Sequence, residues 1–188
     1  TEINKSITLN NDIINCVDDY IINITEDDVV FDCDGHTING TVNKGIRVEG
    51  ANNVTIKNCN IEITGNYGIH FENVNDGSIN NNNISSFGYG TYLQASSDNI
   101  ISNNNISVSG YTGIWLYWMS NNNILLNNEI SLNTYGILLT VNSENNSLVN
   151  NDITATTSLI IDDRTTQTYD NYLIYNNSFG QISWLNTT

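Results

Sequence analysis

The chain has 188 residues, enough for one domain, and its 39% hydrophobic content is ample for a core. Five basic residues against 20 acidic ones give a net charge of −15, which repels nucleic acid and anionic membrane surfaces alike. No apolar run reaches the roughly 18 residues of a membrane-spanning helix, so no membrane insertion is expected.

The amino-terminal part, residues 1–50, alternates apolar and polar residues in short, irregularly spaced pieces. Residues 7–9, 13–14 and 21–24 read as one set of three strands, and 29–32, 36–38 and 45–48 as the next. Acids gather here at Asp18, Asp19, Glu26, Asp27, Asp28, Asp32 and Asp34, with a second pair at Asp162 and Asp163. They form either an acid-lined solvated turn or a Ca²⁺ site; no other cofactor is expected. The three cysteines, Cys16, Cys33 and Cys59, match neither a zinc pattern nor a disulfide framework. They read either as three buried thiols or as a Cys16–Cys33 pair one coil apart, and such a pair implies an oxidising compartment.

From residue 51 to 188 the chain repeats. An Asn-Asn-x-Ile motif closes at Ile61, Ile84, Ile106, Ile130, Ile153 and Phe179, in steps of 23, 22, 24, 23 and 26. A constant period in this range marks a solenoid, whose repeats bury their apolar faces only by stacking. Each repeat holds three short strands: one before the Asn pair, one after it, and one opening with Gly in a Gly-Ile-x-Leu pattern. Three parallel strands per coil predict a single all-β domain, a right-handed parallel β-helix of about eight coils over residues 1–188. Asn58, Asn81, Asn103, Asn127, Asn150 and Asn176 are candidates for an inter-coil asparagine ladder. The adjacent column of Asn82, Asn104, Asn128, Asn151 and Asn177, headed by Cys59, could equally be the inward one.

Alternation turns the third residue of Gly-Ile-x-Leu outward. Down the stack it reads Arg47, His70, Tyr92, Trp115, Leu138 and Ile160, with Tyr117 beside it. On the first strand the outward set includes Ile124, Leu126, Val149 and Ile174. This drift toward apolar residues is a candidate interface. The chain stops partway through a coil, so Ile3, Phe179 and Trp184 are candidates for end-to-end contact between copies. Sequons stand at Asn4, Asn23, Asn53, Asn83, Asn105, Asn145 and Asn176 and permit N-glycosylation.

The segment Asp32-Cys33-Asp34-Gly35-His36-Thr37-Ile38 and the later Asn53-Val54-Thr55-Ile56-Lys57-Asn58-Cys59-Asn60-Ile61 resemble the NosD-type and pectin-lyase-like β-helix repeat proteins. The closest likeness is to archaeal cell-surface members. That resemblance implies the fold; it implies little about activity, because this scaffold hosts lyases, hydrolases, adhesins and surface-layer proteins. The basic residues share no face with acids in the central coils, and no lyase or hydrolase signature is found, so no enzyme activity is expected. The expectation is an extracellular surface protein, with its leader already removed, that assembles with copies of itself. The alternative is a module that binds or cleaves surface glycans. Trp115, Leu138 and Ile160 buried at a subunit contact would favour the first. Aromatics beside carboxylates on an open groove would favour the second.

Overall fold

A computed structural model of the chain describes residues 1–108, 110–163, 172–173 and 182–185. All of its regular structure is strand, and every strand pair is parallel. Ile7–Thr8, Ile13–Cys16 and Tyr20–Ile24 form the first complete coil, and Val30–Asp32, Thr37–Gly40 and Lys44–Glu49 the second. The third is Thr55–Lys57, Asn60–Ile63 and Tyr67–Glu72. Two later coils fuse their second and third strands into the continuous Glu129–Thr140 and Asp152–Asp163. Seven complete coils are described, and Tyr172–Leu173 and Ile182–Leu185 belong to an eighth.

Pairing between coils puts equivalent residues in register, so each inward column is nearly uniform. Phe31, Ile56, Ile79, Ile101, Leu125 and Leu148 make one column, and Ile38, Ile61, Ile84, Ile106, Ile130 and Ile153 a second. All twelve are buried. β-branched and leucine side chains suit this setting because each meets its own copy one coil away on a pleated surface. The glycine that opens the third strand is required by the same closeness. A Cβ at Gly68 would run into the Gly90 carbonyl of the next coil and the Ile84 side chain.

The inward asparagine column is Asn82, Asn104, Asn128 and Asn151, each at most 2% exposed. Each side-chain amide donates to the next, at 3.0, 3.0 and 2.9 Å, and each also donates to a backbone carbonyl of the preceding coil. Each carbonyl oxygen also accepts the backbone N–H of the coil before it. The neighbouring column, expected as the ladder, instead takes the bend. Asn58, Asn81, Asn103, Asn127 and Asn150 all have φ between 52 and 56°, and they lie toward the surface. Asn is among the few residues that enter this left-handed region readily, so both columns need Asn for different reasons. Asn176 lies outside the described residues.

Two further ladders occupy the corner after the third strand. Asn99, Asn123 and Asn146 repeat the amide ladder, headed by the Gly77 N–H. Beside them, the hydroxyls of Ser96, Ser120 and Ser143 accept the backbone N–H of Val74, Ser96 and Ser120. Cys59 heads the first ladder and forms a disulfide with Cys33, which overturns both sequence readings, three thiols and a Cys16–Cys33 pair. Cys33 and Cys59 each follow a first strand and turn inward at the same corner of adjacent coils. Cys16 sits in a second strand opposite Gly40, partly exposed and free.

Asn104→Ala should destabilise the fold by about 2–3 kcal/mol in chemical denaturation, because it strands the Asn82 amide and buried backbone groups. Asn103→Gly next door should change stability by less than about 0.5 kcal/mol, since it keeps a left-handed bend. Reducing the 26-residue Cys33–Cys59 loop should cost on the order of 3 kcal/mol. Before reduction, alkylation followed by mass spectrometry should label Cys16 alone.

Candidate functional site: an aromatic panel beside paired charges

The third strands form a sheet whose outer face carries the chain's most concentrated chemistry. The column expected from alternation is present and in register: Arg47, His70, Tyr92, Trp115 and Leu138. It continues upward through Asn23 to Glu2. It does not continue to Ile160, which lies opposite the core residue Ile137; Ile161 is the residue opposite Leu138. The last coil has lost the glycine that opens the third strand, and a register irregularity near Asn133 precedes it.

A second file of rings, absent from the sequence expectation, flanks the first. Tyr67 and Tyr89 begin successive third strands, with Tyr111 just before the next. Tyr67 stacks on His70 at 5.1 Å and on Tyr89 at 5.2 Å, and Tyr89 on Tyr111 at 5.8 Å. His70, Tyr92 and Trp115 follow one another at 5.0 Å per step, and Tyr117 packs edge-on to Trp115 at 5.2 Å. Seven rings thus form one panel, and each such pair adds about 0.5–1.5 kcal/mol beyond area burial. The outward-facing His70 and Tyr92 are each only 6% exposed, because neighbouring rings cover them.

The panel keeps polar handles. Trp115 Nε1 donates to Thr140 Oγ1 at 2.8 Å, and the Tyr92 hydroxyl donates to Gln94 at 3.2 Å. Burial, followed by the neighbouring Tyr67, Tyr117, Tyr89 and Glu72, pushes the Tyr92 phenol well above its ordinary range. At the amino-terminal border Arg47 bridges two coils, reaching Glu49 at 2.6 Å and Glu72 at 3.2 Å. At the other margin Trp118 and Met119 turn the corner with φ of 47° and 58° and stay about half exposed. Tyr111 and Phe87 are exposed at the opposite edge.

Other expected positions fall elsewhere. Ile124, Leu126 and Val149 lie on the separate first-strand sheet, so the apolar positions do not make one stripe. Ile174 and Phe179 lie outside the described residues. Ile3 pairs opposite Ile24 within its own rod, and Trp184 lies opposite Asp162. Among the sequons, Asn23 is buried and its amide donates to Glu2 at 2.8 Å, so it is not available for a glycan. Asn4, Asn53, Asn83 and Asn105 are exposed, Asn145 is half-buried, and Asn176 is outside the described residues. The amino-terminal acids tie coils together: Asp19 to Lys44, Asp32 to Lys57, and Asp27 and Asp28 to Asn52 and Asn53. Among the described residues they form no cluster of three or more metal-ligating side chains. Two open depressions of about 550 and 600 Å³ lie on the second-strand side, lined by short polar side chains such as Asn39, Thr41, Ser85, Asn81 and Asn103. They hold none of the panel's rings.

His70 gives the panel a pH dependence. Neither ring nitrogen has a hydrogen-bond partner among the described residues. Burial, then Lys44 and Arg47, lowers its pKa to about 4 from an ordinary value of 6.5. The unfolded chain therefore binds the extra proton first, and stability is full above pH 6.5 and falls as pH drops toward 4. The loss is on the order of 2–3 kcal/mol across that window. His70→Phe keeps a ring and removes the proton. Denaturation at pH 7 and pH 4.5 should show the variant losing less stability than the parent by that amount.

No curated protein matches the sequence. Among solved structures, an alginate lyase from a Paenibacillus species superposes with a TM-score of 0.62 at 15% identity, over 94% of this chain and 87% of that one. The Dettilon tailspike protein gives 0.46 at 15% identity over 90% of this chain and 49% of that one. The A-module of a mannuronan C-5 epimerase from Azotobacter vinelandii gives 0.43 at 14%, over 96% and 79%. The first likeness shows the fold alone. The family model for the right-handed β-helix region matches residues 20–179, and the chain belongs to that family.

Proposed function

We propose that the chain is a polysaccharide-binding β-helix module whose binding face is the aromatic panel of the third-strand sheet. The observation that carries this reading is the juxtaposition of seven rings with Arg47, Glu49 and Glu72 on one outer face. Sugars combine apolar ring faces with hydroxyls, and a surface that alternates rings with bonded polar groups matches both. Interior rings spend their faces on one another and offer edges. The exposed Tyr111 and Trp118 at the two margins are the stacking surfaces. A third strand of six residues spans ~16 Å, and four coils add ~14 Å, room for about three sugar units.

The end-to-end assembly reading has less to stand on. The amino-terminal strand already pairs inside its own rod, and polar Thr140 bonds the Trp115 that was to be an apolar contact. Binding without cleavage is the form proposed, because one guanidinium ties up both Glu49 and Glu72. A location outside the cytosol is supported by the Cys33–Cys59 disulfide. The resemblance of residues 32–38 to archaeal surface β-helices points the same way.

The test is affinity electrophoresis or calorimetry against a panel of soluble polysaccharides, with tryptophan fluorescence as a second readout. Trp118→Ala and Tyr111→Ala should each weaken binding about tenfold, roughly 1.4 kcal/mol, with an unchanged circular dichroism spectrum. Unaltered binding in both variants would remove the panel from the site. Concentration-dependent light scattering without added glycan would favour self-assembly instead.

A further inference from the structure

The charges bordering the panel select among polysaccharides. This step rests on the polysaccharide-binding reading. Lys44 is matched by Asp19 at 3.0 Å. Arg47 has one arm of its fork on Glu49 and the other on Glu72. Glu2 adds a further carboxylate, which accepts from the Tyr20 hydroxyl at 2.6 Å and the Asn23 amide at 2.8 Å. Four carboxylates therefore face two side-chain cations along this border. Of the other basic residues, Lys57 is held by Asp32, the exposed Lys5 lies in the turn between Glu2–Ile3 and Ile7–Thr8 and not on a third strand, and Arg164 lies outside the described residues. His70, the panel ring paired in register with Arg47, is almost wholly buried, with both ring nitrogens unpartnered among the described residues.

A glycuronan brings one carboxylate per sugar. A protein reads that group with a free guanidinium fork or a free ammonium. Among the described residues the one fork beside the rings is occupied by the protein's own acids, and a net charge of −15 opposes an approaching polyanion. What remains at the surface are acceptors and neutral donors suited to hydroxyls: Glu49, Glu72, Gln94, Thr140 and the phenols of Tyr67, Tyr89, Tyr111 and Tyr117. We infer that the face takes a neutral, hydroxyl-rich polysaccharide and excludes polyuronates.

The experiment compares neutral galactomannan, laminarin and hydroxyethyl cellulose with alginate and polygalacturonate on the whole chain, at 20 and 300 mM salt. At least one neutral polymer should bind ten times more tightly than either polyuronate at low salt. Any polyuronate binding should strengthen as salt screens the repulsion. Equal or tighter binding of alginate or polygalacturonate overturns the inference while leaving polysaccharide binding intact, and so does a preference for cationic chitosan. Binding of no polymer removes the parent reading and this inference with it. Glu49→Gln/Glu72→Gln frees the Arg47 fork and should raise the affinity for polyuronates relative to the best neutral polymer at least tenfold. The milder Glu49→Gln should move in the same direction. Unchanged selectivity in both folded variants, checked by near-ultraviolet circular dichroism, would refute the role given to these charges.

Discussion

Everything in this rod depends on one constraint: each residue must tolerate its counterpart one coil away, at the ~4.8 Å spacing of paired strands. Strand backbones meet it by pairing with each other. Corners cannot, because there the chain leaves the strand and its inward N–H groups lose the ladder partner. The buried amides of Asn82, Asn104, Asn128 and Asn151, and of Asn99, Asn123 and Asn146, restore it. Asparagine can do this because it carries both a donor and an acceptor on one short arm, so identical copies bond each other in series. A buried ladder that satisfies each of its members rigidifies the corner; one gap would strand buried groups on both sides.

The same stacking governs the outside. Where like meets like across coils, the meeting is easy for isoleucine, favourable for rings and costly for charges. Glu49 and Glu72 are direct register partners, and Arg47 lies between them as the shared cation. Where no cation is at hand the column turns neutral, as in Gln94 below Glu72. This explains why a chain with only 13% charged residues keeps so many ion pairs across coils. It also explains why rings accumulate on one face once a first pair is present, because each new ring gains a stacking partner.

The period, the three strands per coil and the inward apolar columns were legible from spacing and alternation alone. The choice between the two asparagine columns was not. Asn103 and Asn104 are the same residue type at adjacent positions, one selected for a left-handed backbone and the other for its amide, and a pattern of residue types cannot separate those causes. The disulfide was misplaced because residue count along the chain does not say which side of the prism a cysteine occupies. Cys16 is about one coil from Cys33 in number but lies on the second-strand side, whereas Cys59 repeats the corner of Cys33. Of the panel, the middle file followed from alternation. Tyr67, Tyr89 and Tyr111 escaped because they precede the glycine, where the strand bends and strict alternation fails. The signal was nonetheless present as a tyrosine immediately before Gly68 and Gly90.

The corner after the third strand shows most clearly where packing and function part. Its backbone is left-handed in successive coils, at Gly50, Asn73, Ala95, Trp118 and Val141. Gly50 and Asn73 accept that geometry readily; Ala95, Trp118 and Val141 do so at a cost of roughly 1–2 kcal/mol each. Packing does not require the indole there, since Trp118 is half exposed and stacks on no other ring among the described residues. Backbone geometry alone would favour Gly or Asn at this site, as at Gly50 and Asn73. The left-handed backbone is thus a property of the corner that Ala95 and Val141 share, and what sets Trp118 apart is its half-exposed ring at the edge of seven packed rings.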